Sequence, residues 1–154
     1  MKRFLCLCLL LFLPFGCAKE EKSLDFETAA SRILEASENG AFVRADADFI
    51  STNFGAPDYL TEAVVYYAER GDGTEFGFFR VSDAMHVAEM EQTVLEYLTT
   101  ERAAVESLAA LYPAEELNAR LARFQHAKTG ARDTVVYYCL GDDALCKAFE
   151  RAIR

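Results

Sequence analysis

The strongest constraint on this chain comes from its β-branched and aromatic runs, which are apolar on both faces. Residues 62–69 (EAVVYYAE) and 74–81 (TEFGFFRV) flank Gly71-Asp72-Gly73, the pattern of a tight hairpin. A third run, residues 133–140 (DTVVYYCL), has the same character. Side chains of a strand alternate between faces. Val65 and Tyr67 therefore oppose Val64 and Tyr66, Phe78 opposes Phe79, and Val135 with Tyr137 opposes Val136 with Tyr138. A sheet wetted on one side alternates apolar with polar residues, and these strands do not. Two arrangements satisfy the pattern. Helices cover both faces, the arrangement favoured because large apolar patches are uncommon on monomers. Alternatively, one face stays partly open as an aromatic binding surface carried by Tyr66, Tyr67, Phe78, Tyr137 and Tyr138.

Helices are available to do the covering. Phe26, Ala30, Ile33 and Leu34 recur at helical spacing from Asp25 to about residue 38, where Asn39-Gly40 stops the helix. Residues 40–60 read as irregular, with a turn cluster at 53–57 and one helical turn on either side. Ser82-Asp83 caps a long helix to about Leu108, striped by Val87, Met90, Val94, Tyr97, Leu98 and Val105. Pro113 opens another helix with Glu115 and Glu116 at its positive end and Leu117, Leu121 and Phe124 as its stripe. A second hairpin is expected from residues 124–128, turning through Thr129-Gly130-Ala131 into 133–140. Asp142-Asp143 then caps a final helix with Leu145, Ala148, Phe149 and Ile153 inward. The expected fold is α+β: an antiparallel sheet of about four strands in two hairpins, packed with about four helices in the order α-ββ-α-α-ββ-α. The repeated Val-Val-Tyr-Tyr at 64–67 and 135–138 suggests two similar halves, although four residues of favoured strand composition recur easily by chance.

The N-terminus carries an address. Met1-Lys2-Arg3 precedes a short apolar run, residues 4–15, which breaks at Pro14 and Gly16 before the charged stretch 19–22. A spanning helix needs roughly 20 apolar residues, so the run reads as an export signal instead. Residues 1–16 are expected to be the signal of a lipoprotein, with Cys17 acylated as the first mature residue. Residues 17–24 form a tether, and 25–154 a single domain. Cleavage after Ala18, giving a secreted protein, is the alternative. More than one acyl chain (palmitate among them) makes stable anchoring possible. Loss of the two signal bases takes the formal charge from −9 to −11. Such acidity excludes nucleic acid as a natural partner and leaves the lipid, not a basic patch, to hold the protein at a membrane.

Two cysteines remain in the body, Cys139 and Cys146. An export address permits a disulfide and an even pair invites one. The alternative, preferred on sequence, is two buried free thiols packing as small apolar residues.

Catalytic signatures are missing from the sequence. His86 and His126 are isolated, with no second ligand at metal spacing. Neither a Gly-x-Ser-x-Gly elbow, a Ser-x-x-Lys pair nor a glycine-rich phosphate loop occurs. Asp46-Ala47-Asp48 lacks the glycine and distal glutamate of a calcium loop. Arg70-Gly71-Asp72 lies where a hairpin turn needs Gly and Asp for backbone reasons. No cofactor or metal is expected.

Several short motifs together resemble a family of small lipoproteins of low-GC Gram-positive bacteria, known as a domain of unknown function. They are Glu75-Phe76-Gly77-Phe78-Phe79-Arg80-Val81 leading into Ser82-Asp83, Tyr112-Pro113-x-Glu115-Glu116, the Gly130 turn, and the 135–140 strand ending in Asp142-Asp143 before a helix to Phe149. The resemblance covers about residues 25–153. Asn118 and Arg120 stand near where that family would have a lysine, and 124–128 is less apolar than its usual strand. What the resemblance implies is a lipid-anchored extracytoplasmic domain without an assigned activity. The leading expectation is a non-catalytic binding or interaction module of the cell envelope, whose partner is an envelope protein or a small ligand. The alternatives are an envelope enzyme using Glu115 with Glu116 or Asp142 with Asp143, and a sensor or accessory subunit of a transporter or cell-wall complex. A cleft with two converging carboxylates would favour the enzyme.

Overall fold

A computed structural model describes residues 23–37 and 40–154; the expected signal, Cys17 and most of the expected tether lie outside them. In chain order the elements are α1 (Phe26–Ala36), β1 (Phe42–Arg44), α2 (Ala47–Phe54), β2 (Leu60–Ala68), β3 (Glu75–Val81), α3 (Val87–Ser107), α4 (Ala114–Gln125), β4 (Lys128–Arg132), β5 (Val135–Leu140) and α5 (Asp143–Ala152). The strands form one antiparallel sheet in the order β1-β2-β3-β5-β4. The α+β class holds, with five strands and five helices among the described residues. None of these helices is long and apolar enough to cross a membrane.

Both faces of the sheet are covered. On one, Val64, Phe76, Phe78, Val135 and Cys139 pack against Phe26, Ala30 and Ile33 of α1 and Leu145, Cys146 and Phe149 of α5. On the other, Val65, Phe79, Val81, Val136, Tyr138 and Leu140 meet Phe54 of α2 and Met90, Val94, Tyr97 and Leu98 of α3. Aromatic contacts stitch each layer: Phe26 stacks on Phe78, Phe78 on Phe149, and Phe54 packs within 4.6 Å of Phe79 and 4.5 Å of Tyr97. Twofold alternation along the central strands thus feeds two separate cores.

Acidic caps start three of the helices. Asp25, Asp46 and Asp142 each accept a hydrogen bond from the backbone N–H three residues on, at 2.6, 2.8 and 2.9 Å. Gly77, at the centre of β3, lies between Val65 and Tyr138. The Tyr138 ring fills the space above it, and a Cβ there would come within 2.6 Å of that ring.

Three expectations need correction. Residues 42–44 and 47–54 are a short edge strand and a two-turn helix rather than an irregular stretch. Three residues show no period, and Asp46 caps α2. The long helix begins at Val87, later than expected, because Asp83 caps a 3-10 turn at Ala84–His86 that leads into it; its end at Ser107, capped by Leu108, is where the stripe placed it. The second hairpin is shifted: α4 continues through Phe124 to Gln125, β4 is 128–132, and the turn falls at Asp133-Thr134. Asp133 takes the left-handed conformation (φ 54°), which Asp tolerates better than most residues. Gly130 does not turn the chain. It sits in the strand opposite Tyr137, whose ring covers it.

Candidate functional site

The five aromatics anticipated as a binding face do not share one. Tyr66, Phe78 and Tyr137 belong to the α1/α5 side, Tyr67 and Tyr138 to the α2/α3 side. Phe78 and Tyr138 are fully buried, and the three others are half-buried. The strand alternation that places apolar residues on both faces divides these rings between two covered layers.

The acids considered for general acid–base work are also dispersed. Glu115 and Glu116 are exposed in the first turn of α4, Glu116 pairing with Arg120 at 3.0 Å. Asp142 caps α5 and Asp143 occupies its first turn, exposed. His86 stacks on Tyr59 with centroids 4.3 Å apart, and His126 ends α4. Among the described residues no group of three or more His, Cys, Asp or Glu side chains could hold a metal ion. Asp72 of the Arg-Gly-Asp turn is a tie point: burial would raise its carboxyl, but the Thr74 N–H and the Arg123 and Arg70 guanidiniums hold it below the usual range.

One titratable group is strongly perturbed. Alternation along β3 puts Glu75 with Gly77 and Phe79 on the α3 side, where it is 6% exposed. Burial pushes its carboxyl up to about 8, so that it is mostly protonated at neutral pH, against the lowering effect of a 2.8 Å hydrogen bond from the Tyr97 hydroxyl. Among the described residues, its Oε1 and the Tyr138 hydroxyl are buried without hydrogen-bond partners. Glu101, one turn after Tyr97, is half-buried and also raised by burial. A neutral buried acid between two tyrosines resembles a catalytic arrangement electrostatically. However, Glu75 lines none of the four described cavities. It is sealed under α3.

A more open site forms where the sheet edge is incomplete. β1 pairs only with Tyr66–Ala68, so the first half of β2 has no outer neighbour among the described strands. Alternate residues present both backbone groups to one edge. The Ala68 N–H points to β3, donating to the Thr74 carbonyl, while the Val65 carbonyl points outward to the Ala45 N–H. Ala63, two residues before Val65, therefore presents its N–H and C=O to the open edge.

Beside this edge lies a cleft of 320 Å³ walled by Ala47, Ile50 and Ser51 of α2, the 55–57 turn and Leu60–Ala63. Gly55 adopts φ 75°, which swings the chain away from α2 and opens the cleft. Its polar side chains are already engaged. The Ser51 hydroxyl donates to the Asp48 carbonyl, the Thr61 hydroxyl to the Arg80 carbonyl, and Glu62 accepts from Arg80 Nε at 2.9 Å. The unmatched groups are backbone ones on an apolar floor. Chemically this suits an extended segment that adds as a strand. The same Arg80 donates to the Leu24 carbonyl at 2.6 Å and lies over the Phe26 ring, so the cleft shares a pole with the start of α1.

Sequence reasoning had no access to this site, because it exists where β1 stops short at Arg44. Glu75 did leave a signal: it is the one charged residue on an otherwise apolar strand face. Compared with family models, curated proteins and solved structures, the chain matches none.

Proposed function

We propose that the protein is a lipid-anchored interaction module of the cell envelope, which holds an extended apolar segment of an envelope protein against the open edge of β2. The observation that carries this reading is the pairing of outward backbone groups at Ala63 with the apolar α2 wall. A single carboxylate, Glu62, stands at the cleft, and Arg80 occupies it. That supports binding over acid–base chemistry. The resemblance to the lipoprotein family points to the same address. Cys17 lies seven residues before Leu24, so a lipid there would keep the cleft's pole within a tether of at most about 25 Å.

The test places a photo-crosslinking residue at Thr61 in cells, with exposed Leu111 as the control position. A discrete membrane-fraction product is expected from position 61 only. Ala63→Pro removes the outward N–H without breaking the β2–β3 ladder. It should cut the crosslinked yield about tenfold, the effect of roughly 1–2 kcal/mol from one lost backbone bond. Equal patterns from both positions, or a product indifferent to Ala63→Pro in a folded protein, would sink the proposal.

A further inference from the structure

Cys139 and Cys146 come together although neither lies in the cleft. Cys139 is the penultimate residue of β5, fully buried on the α1/α5 side. Cys146 sits in the first turns of α5, 4% exposed. The connection between them is short: Leu140, Gly141, the Asp142 cap, then one turn of helix. Gly141 is close-packed against Leu145, where a Cβ would come within 2.6 Å of Leu145 Cδ2. This turn brings the two sulfurs to 3.9 Å, with both thiols free. A disulfide needs them about 2 Å closer, a displacement within reach of side-chain rotation at the start of a helix.

From this contact we infer that the two cysteines are a disulfide site, oxidised to a Cys139–Cys146 bond that staples the start of α5 to the end of β5. The two residues are not equivalent. The hydrogen-bonding contact with Cys139 lowers the Cys146 thiol below its ordinary range; burial opposes this, and Lys128 adds to it. The same hydrogen bond and burial hold Cys139 well above its range. Cys146 also lies near the positive end of α5, which favours its thiolate even while the helix is undocked from β5, and it is the attacking sulfur.

The oxidant is a disulfide, either a small-molecule one or the exposed bridge of a thiol oxidase. The Cys146 thiolate attacks one of its sulfurs and expels the first thiolate, leaving a mixed disulfide on Cys146. Cys139, deprotonated, then attacks Cys146 Sγ and expels the second. Two electrons pass to the oxidant, and the two cysteine protons end on the two released thiols. Because both sulfurs are shielded in the folded domain, the exchange occurs while α5 is undocked, and the finished bond is protected from reductants once α5 packs.

The chemistry is intrinsic to the domain and does not rest on the envelope address, although an exported chain would meet the oxidant. A tryptic peptide makes it readable, since residues 133–147 hold both cysteines with no internal Lys or Arg. The full chain is unfolded with reductant, refolded with oxidised glutathione, denatured, alkylated and digested. The expected peptide 133–147 is lighter by two hydrogens and carries no alkyl group until it is reduced. Unfolding the oxidised protein in dithiothreitol and refolding it reduced should lower Tm by about 5–10 °C, the effect of reopening a short loop in a domain of this size. Complete alkylation of both cysteines in chains that regained their circular dichroism would overturn the inference. Recovery of the linked peptide from cells, in chains that still begin at Met1, would keep the bond and remove the envelope address.

Discussion

Replacing Glu75 with Gln should stabilise this protein at neutral and alkaline pH and do little or the reverse in acid. Glu75 ionises near 8 in the folded domain against an ordinary 4.5, because burial under α3 penalises the charged form. Between those two values the folded state holds a proton that the unfolded state has released. Stability from this group is therefore complete below about pH 4.5 and drains away as pH rises to about 8, after which it is flat. At roughly 1.4 kcal/mol per pH unit the ceiling is about 5 kcal/mol. Relaxation of the site reduces that to about 2–4 kcal/mol, still a large part of a typical domain's stability.

Gln is neutral at every pH and keeps an oxygen for the Tyr97 hydroxyl. Its amide N–H₂ enters the position where Oε1 already lacks a partner, costing about 1–2 kcal/mol in acid. Glu101, raised by burial, gives both proteins a slope of the same sign, and Asp72, lowered, gives both a loss in strong acid. Taking the difference between variant and wild type cancels these. Urea unfolding followed by far-ultraviolet circular dichroism at about pH 5, 7 and 9 measures it. The variant should be the less stable protein at the first pH and the more stable by about 1–3 kcal/mol at the last. A difference that stays constant across the range would refute the assignment of Glu75 as a buried neutral acid.

Two further outcomes test other parts of the account. Gly77→Ala drives a methyl into the Tyr138 ring and against a Val65 methyl, both in a closed core. It should cost about 1–2 kcal/mol net of the strand's gain from losing a glycine, read as a lower urea midpoint at unchanged slope. Mass spectrometry of the mature N-terminus should find an acylated Cys17, and Cys17→Ala should release the protein from the membrane fraction; a mature chain beginning at Lys19 would end the lipoprotein proposal.

Legibility in the sequence followed the range of the interactions that decide each element. The first hairpin, the stripe of α3 and the Asp142 cap are set by contacts within a few residues, so period and turn chemistry suffice for them. The second hairpin turns three residues later than its glycine suggests. Gly130 is a strand residue on account of Tyr137, a cross-strand neighbour that no local window contains. β1 and α2 were missed for a related reason: a three-residue strand carries no period and exists only because Tyr66–Ala68 offers it an edge.

The candidate site carries the same lesson further. Its character depends on a shortfall, the mismatch in length between β1 and β2, and on Gly55 turning the chain away from α2. No residue type marks such a place, and no catalytic spacing points to it. A docking edge made of backbone groups also puts little demand on side-chain identity. Substitutions at Ala47, Ile50 or Leu60 that keep the wall apolar should preserve binding, whereas Ala63→Pro, which removes one N–H, should not. If the reverse held, the recognition would lie in the side chains, and the open strand edge would be only an unprotected margin of the sheet.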